Sequence, residues 1–355
     1  MIMYWIVSGT KKFKDDATIW IVFRQFVIKI KFNIEMKKLN PITLIVIAML
    51  SVVSFYQCTN NEDIFQGFPT ENDFQNLQEV HDTMNLSDTL TLTIADPTIE
   101  NILNGQDIRL VFPANSCTLS GGGAATAPFT VSLIEIFTRG KMIKHNIQTF
   151  AGEEPLVSGG MFWLRVTDAT GAELTLNGVQ AILPYQTDAT GYENSMQYFI
   201  GTTQTAPSGP VISWGTGNSD LSFDETAGTN GEFTIWNIMG GWSNCDAFYE
   251  LIDGESTQFK VRVPNAPDFA NTQVFFALND FTTVAALTTV SGDALTTYTG
   301  SIPTGAQGKI IAISLVEGAL NIASQDVTIA GDDVFDLVVA PATIQDLQTL
   351  LAGLN

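Results

Sequence analysis

Histidine is almost missing from this chain: His81 and His145 are the two in 355 residues. Clustered zinc ligation is excluded by that scarcity, because His145 is flanked by Lys144 and Asn146 and has no second histidine with which to share a metal. A Ser–His–Asp triad built on His145 stays open on spacing, since triads assemble in space. A lone histidine is more often a surface or satisfied core residue. Cysteine is equally scarce, at three residues. Basic residues are few: Lys and Arg total 16 against 37 Asp and Glu. No phosphate-binding glycine loop is present; Gly305-Ala306-Gln307-Gly308-Lys309-Ile310 lacks both the spacing and the Ser or Thr after lysine. No stretch has the ligand pattern of a calcium-binding EF-hand loop. Gly241-Trp242-Ser243-Asn244-Cys245 matches half of a nucleophile elbow and lacks its last glycine.

What is present begins at Met36. Lys37 and Lys38 precede a mostly apolar stretch from Ile42 to Tyr56, which ends at Cys58 and gives way to acidic, polar sequence. That layout predicts a secretory signal peptide over 36–57. The cysteine at its end predicts lipidation of Cys58 after cleavage, which would tether a soluble body to a membrane. Gln57, Phe55 and Tyr56 are bulkier than the residues usual before a lipoprotein cysteine, so a plain secretory cut after Ser54 is the competing outcome. Residues 1–35 fit neither part and read as upstream sequence translated from a start codon chosen too early.

Eight of the basic and three of the acidic residues lie before Cys58, leaving 8 against 34 and a formal charge of −26 on the mature chain. Such a surface repels phosphate backbones, so no nucleic-acid partner is expected. About 300 mature residues suggest two domains of ordinary size. Residues 58–85 are rich in Asn, Asp, Glu and Gln and read as an acidic tether. From Leu86 the apolar residues alternate with polar ones: Leu90, Leu92 and Ile94, then Ile108, Leu110 and Phe112, then Phe129, Val131 and Leu133. Further strands are expected over Met161–Val166, Glu173–Leu176 and Val179–Leu183. Asp168–Gly171 and Asn177-Gly178 read as hairpin turns.

These strands predict a β-sandwich over 86–187, with a boundary in Asp188–Ser195. A second β domain is expected over 188–355, with strands at Met196–Ile200, Val211–Trp214, Glu232–Met239, Gln258–Val263, Gln273–Leu278 and Lys309–Val316. Ile344, Leu347, Leu350, Leu351 and Leu354 fall at helical spacing behind Thr343 and Asp346, which predicts one short C-terminal helix. The fold class is therefore all-β: two β-sandwich-like domains with a short C-terminal helix.

Chemistry-bearing residues are weighed against plainer roles. Glu153-Glu154 and Asp332-Asp333 would suit a carboxylate-using, glycosidase-like hydrolase, but adjacent acids in so acidic a chain are mostly solvated turns. Trp163, Trp214, Trp236 and Trp242 could stack on sugars; Trp163 and Trp236 sit inside apolar runs and read as core. Cys117 and Cys245 are free and buried or joined in one disulfide; the sequence leaves both open. Gly240-Gly241 permits a bend, after which Trp242 and Cys245 would turn inward while Asn244 and Asp246 bond turn backbone. A structural corner is the favoured reading of Gly241, Trp242, Asn244, Cys245 and Asp246.

Phe112–Cys117 (FPANSC), Val131–Glu135, Ser158-Gly159-Gly160-Met161 and Gly171–Leu176 together resemble a segment recurring in uncharacterised surface lipoproteins of Bacteroidetes, and resemble the ZU5 β-sandwich domain. Gly241–Asp246 followed by Phe248-Tyr249 is similar to a GW-x-NCDR-x-Y signature of the same lipoproteins, with Ala247 where a basic residue is usual. A contact made by that basic residue is therefore not carried over. Cys58-Thr59-Asn60-Asn61-Glu62-Asp63 resembles their acidic export tag. The resemblance implies an outer-membrane lipoprotein of unknown activity. The expected role is structural or binding at the cell surface, with a glycan or protein partner, and the alternative is a secreted or surface glycosidase-like hydrolase using carboxylates. No cofactor, metal or catalytic residue is expected. A secreted form follows if Cys58 is not lipidated.

Overall fold

A computed structural model describes residues 73–186, 191–228, 230–250 and 256–354. The expected signal peptide, the lipidation site Cys58 and the first part of the tether lie outside these residues. The described chain is all-β with short helices, and it forms two sandwiches.

In the first sandwich a seven-stranded sheet runs in the order Leu90–Ile94, Phe129–Ile136, Glu154–Thr167, Gly241–Phe248, Gln197–Ala206, Gly209–Thr216, Ile147–Ala151. The last strand also pairs with the start of the third, Phe150 opposite Pro155 and Ala151 opposite Glu154, so five of the strands close on themselves. Facing this sheet is a five-stranded one: Leu221–Asp224, Glu232–Ile235, Gln180–Pro184, Arg109–Phe112, Asn101–Asn104. The second sandwich pairs a five-stranded sheet centred on Thr272–Leu278, Gln307–Val316 and Ala319–Thr328 with a four-stranded sheet centred on Ala294–Thr296 and Lys260–Arg262.

The two-residue side-chain period divides the central strands between different cores. On Glu154–Thr167, Val157 joins the core of the first sandwich while Leu156 faces a middle core. On Thr272–Leu278, Val274 and Phe276 fill the second sandwich while Phe275 and Ala277 face that same middle core. Both faces of these strands are dry, which explains their near-continuous burial.

The middle core also takes three helices. Ile344–Ala352 forms where its apolar spacing predicts it, closed by a reciprocal bond between Thr343 and Asp346 at its start. Its Leu347 and Leu351 enter the core beside Met142 and Ile143 of the Arg139–Lys144 helix. A Cβ on Gly140 would lie 2.0 Å from the Leu351 carbonyl oxygen, so the two helices meet backbone to backbone through that glycine.

Four expectations are corrected. The polar stretch Asp188–Ser195 does not separate domains. Gln180–Pro184 pairs with both Arg109–Phe112 and Glu232–Ile235, and Glu154–Thr167 pairs with Gly241–Phe248. Residues on both sides of 187 thus share one sandwich; loops within a sandwich and linkers between domains have similar composition. The strands of the second sandwich all come from residue 256 onward.

Second, the expected tether contains a helix, Leu77–Asn85. Asn76 caps it by accepting the Glu79 amide, and Leu77, Val80, His81 and Met84 form its buried stripe. Third, Asn177-Gly178 closes no hairpin. Its flanking strands pair elsewhere, Leu174–Leu176 with Cys117–Leu119 and Gln180–Pro184 with Arg109–Phe112. Fourth, Gly241–Phe248 is no corner but a central strand between Glu154–Thr167 and Gln197–Ala206.

Candidate functional site

Three groups of polar or aromatic side chains stand out, and each is built by strand geometry. The first lies on the Gly241–Phe248 strand. Asn244 faces Met161 while Asp246 faces Ser158, so the neighbouring strand carries one extra residue at Gly159-Gly160. That bulge needs glycine: Gly160 has φ +126°, and a Cβ there would come within 2.2 Å of the Phe137 ring. Asn244 donates to Asp246, and the Ser158 hydroxyl donates to Asn244 at 3.4 Å. Ser158 in turn accepts the Gly160 amide at 3.2 Å.

Asp246 is fully buried, and its Oδ1 has no hydrogen-bond partner among the described residues. Burial pushes its carboxyl well above the ordinary range, against the pull of bonds from Ser158 and Asn244. The shift favours the protonated acid, and Oδ1 remains without a partner among the described residues. Cys245, on the opposite face of the strand, is also fully buried, and its thiol is pushed up by burial and by Asp246. Cys117 and Cys245 are both free thiols. Trp242 is half-buried, opposite Trp163 and edge-on to His145 at 5.9 Å.

The second group joins both histidines to the N-terminal helix. Asp88 accepts from Lys144 Nζ at 2.7 Å and from His145 Nε2 at 3.0 Å. Burial works to raise the Asp88 pKa, but those two bonds and the lysine charge prevail and bring it down to about 2. His81 is buried, with Nδ1 3.0 Å from the Lys144 carbonyl and Nε2 2.7 Å from Gln273 Oε1. Burial lowers its pKa from 6.5, against both bonds. A neutral ring that donates from Nδ1 accepts at Nε2, which requires the Gln273 amide to be turned so that its NH2, in place of Oε1, faces the ring. His81 thus ties the Leu77–Asn85 helix to the Arg139–Lys144 helix and to the Thr272–Leu278 strand of the second sandwich. No serine hydroxyl bonds to His145 among the described residues, so the triad geometry is not assembled there.

The third group is open to solvent. A cleft of about 210 Å3 lies where the sandwiches meet. Tyr249 enters from the first sandwich, directly after the Gly241–Phe248 strand, with its amide held by the Pro155 carbonyl at 2.9 Å. Asp280 and Phe281 come from the loop after Thr272–Leu278. That loop is fixed by Thr283 Oγ1 donating to the Leu156 carbonyl at 2.8 Å and by Arg139 donating to the Leu278 carbonyl. Thr304 and Gln307 complete the polar lining.

Phe281 stands nearly perpendicular to Tyr249 and to Tyr192, at 5.2 and 5.8 Å between ring centres. The two tyrosines are stacked at 6.4 Å. All three rings are half-buried, whereas Asp280 is exposed. The Tyr249 hydroxyl is pushed up by burial first, then by Tyr192 and Asp280. Tyr192 is raised by burial and by the Glu250 charge.

The remaining candidates are plainly placed. Trp214 is buried and donates its ring N–H to the Gln148 carbonyl at 2.8 Å. Trp236 lies beyond the end of the Glu232–Ile235 strand and is 41% exposed, so its expected core role is corrected. Glu153 and Glu154 sit exposed at a strand turn, and Asp333 binds the amides of Ala330 and Gly331 in another. No group of three or more potential metal ligands converges among the described residues. None of the described helices is long and apolar enough to cross a membrane.

Sequence reasoning missed the cleft. Tyr192, Tyr249 and Phe281 are far apart in the chain and meet only through the contact between sandwiches. The one adjacent signal was Phe248-Tyr249 at the end of the tryptophan–cysteine motif. Comparisons with protein-family models, with curated proteins and with solved structures return no match.

Proposed function

We propose that this chain is an outer-membrane or cell-surface lipoprotein, anchored through Cys58, whose β-sandwich body binds a ligand rather than transforming one. The signal-like 36–57 segment and the acidic residues after Cys58 support the location. The observation that carries the binding role is the open cleft, with Tyr249 and Phe281 on its wall and the exposed Asp280 at its rim. Aromatic surface with a few convergent polar groups, set between two domains, is how small-ligand sites are commonly built.

The competing hydrolase reading requires two converging carboxylates, one with a raised pKa. Among the described carboxylates, Asp246 is the one pushed upward, and it is sealed in the sheet without access to substrate. The carboxylate at the cleft, Asp280, has no second acid among the described lining residues.

Surface display is tested by treating intact cells with a protease. The protein should be lost from whole cells while a periplasmic control survives. Degradation only after the cells are opened would remove the surface assignment.

A further inference from the structure

We propose that the cleft bounded by Tyr249, Phe281 and Asp280 takes an organic cation: an ammonium or guanidinium group, free or carried on a peptide side chain. The inference rests on the binding role argued above and names its ligand class. Four observations carry it.

The first is the wall. Tyr249 and Phe281 both line the cleft, and π-systems attract cations through the negative charge of their faces. Tyr192 stacks behind Tyr249 and edge-on to Phe281, which holds the rings in place without a ligand. The second is the charge. Asp280 is exposed at the cleft, and neither an ion pair nor a side-chain hydrogen bond engages it among the described residues. Glu250 follows Tyr249 directly and adds its charge beside Tyr192.

The third is what the lining omits. Among the described residues, no lysine or arginine lines the cleft. Arg139 is not among the lining residues; it donates to the carbonyls of Leu278, which is, and of Leu354. The fourth is scale. At about 210 Å3 the space is smaller than the roughly 300–1,000 Å3 of pockets that enclose drug-sized ligands. It admits a single compact group. The net charge of −21 draws cations toward the whole surface, while the aromatic wall gives this one place its selectivity.

A neutral sugar would stack on the same rings. It would leave the Asp280 charge uncompensated, however, and it would be indifferent to the absence of basic residues.

The test is a calorimetric titration of the full-length protein in detergent with choline, N-acetyl-lysine amide, N-acetyl-arginine amide, glucose and 3,3-dimethyl-1-butanol, the uncharged isostere of choline. Saturable binding of choline or of an amino-acid amide is expected, with none for the isostere. Choline alone would identify a free quaternary amine as the source. An amide alone would identify a basic side chain of a protein partner.

Asp280→Asn, an exposed loop change that does not threaten folding, should weaken binding at least tenfold. Tyr249→Ala should abolish it, and Tyr249→Phe should retain most of it. Raising salt to 0.5 M should weaken binding several-fold through screening. Equal binding of choline and its isostere, or binding untouched by Asp280→Asn, would overturn the proposal. Saturable binding of glucose alone would also overturn it, while leaving the broader binding role in place. If no probe binds, the cation assignment fails, and the surface assignment still answers to the protease experiment.

Discussion

Asp246→Asn is expected to make the protein more stable at pH 7, because holding the buried acid protonated there costs stability that a neutral amide of nearly the same volume does not. The native pKa of Asp246 is raised well above its unfolded value because the carboxyl is sealed in the central sheet. Between those two values the folded protein retains a proton that the unfolded chain has released. Stability therefore falls as pH rises above about 4, at up to ~1.4 kcal/mol per pH unit. Asparagine abolishes that slope, so its advantage should shrink toward zero near pH 4 and grow toward pH 7.

The acid side behaves in the opposite sense. His81 has a lowered pKa in the fold, so below about 6.5 the unfolded chain takes up a proton that the native ring refuses, and stability is lost as pH falls. Asp246→Asn should leave that flank intact. Chemical denaturation from pH 4 to 9 reads both flanks. A destabilised Asp246→Asn variant at pH 7 would mean that the carboxylate is ionised and paired.

Trp242→Ala should cost about 3 kcal/mol, at the lower end of the roughly 3–5 kcal/mol typical of such truncations because the indole is half-buried. Trp242 packs against the middle core, meets His145 edge-on, and occupies space left by Gly201, where a Cβ would come within 2.4 Å of the Trp242 Cβ. The loss should be the same with or without any ligand. A variant as stable as the parent but unable to bind would make Trp242 a contact residue instead.

Much of the strand pattern was legible because half-buried strands write their period into the sequence. Leu90–Ile94 and Arg109–Phe112 carry clean alternation, and the C-terminal helix carries both its cap and its stripe. Strands buried on both faces were harder to place. Gly241–Phe248 mixes Trp, Ser, Asn, Cys and Asp, and its buried polar members bond to Tyr198, to Ser158 across a glycine bulge and to each other, with Asp246 Oδ1 left over, in an arrangement that no local pattern announces.

The Leu77–Asn85 helix was hidden for a related reason. Its stripe includes His81, whose burial is made tolerable by Gln273, almost two hundred residues away. The tight turn at Glu317-Gly318 has positive φ at both positions and joins two ten-residue strands, yet Glu is an uncommon choice there and gives little warning. The cleft was invisible because its rings belong to different sandwiches. Only the packing of one against the other brings Tyr249 beside Asp280 and Phe281.

Anchoring of this body at the cell surface is tested most directly by intact mass spectrometry of the mature N-terminal peptide from the membrane fraction. The predicted result is a chain beginning at Cys58 and carrying the mass of lipid, with Cys58→Ala shifting the protein from the detergent phase to the aqueous phase. An unmodified N-terminus at Phe55, with the parent protein already in the aqueous phase, would contradict it.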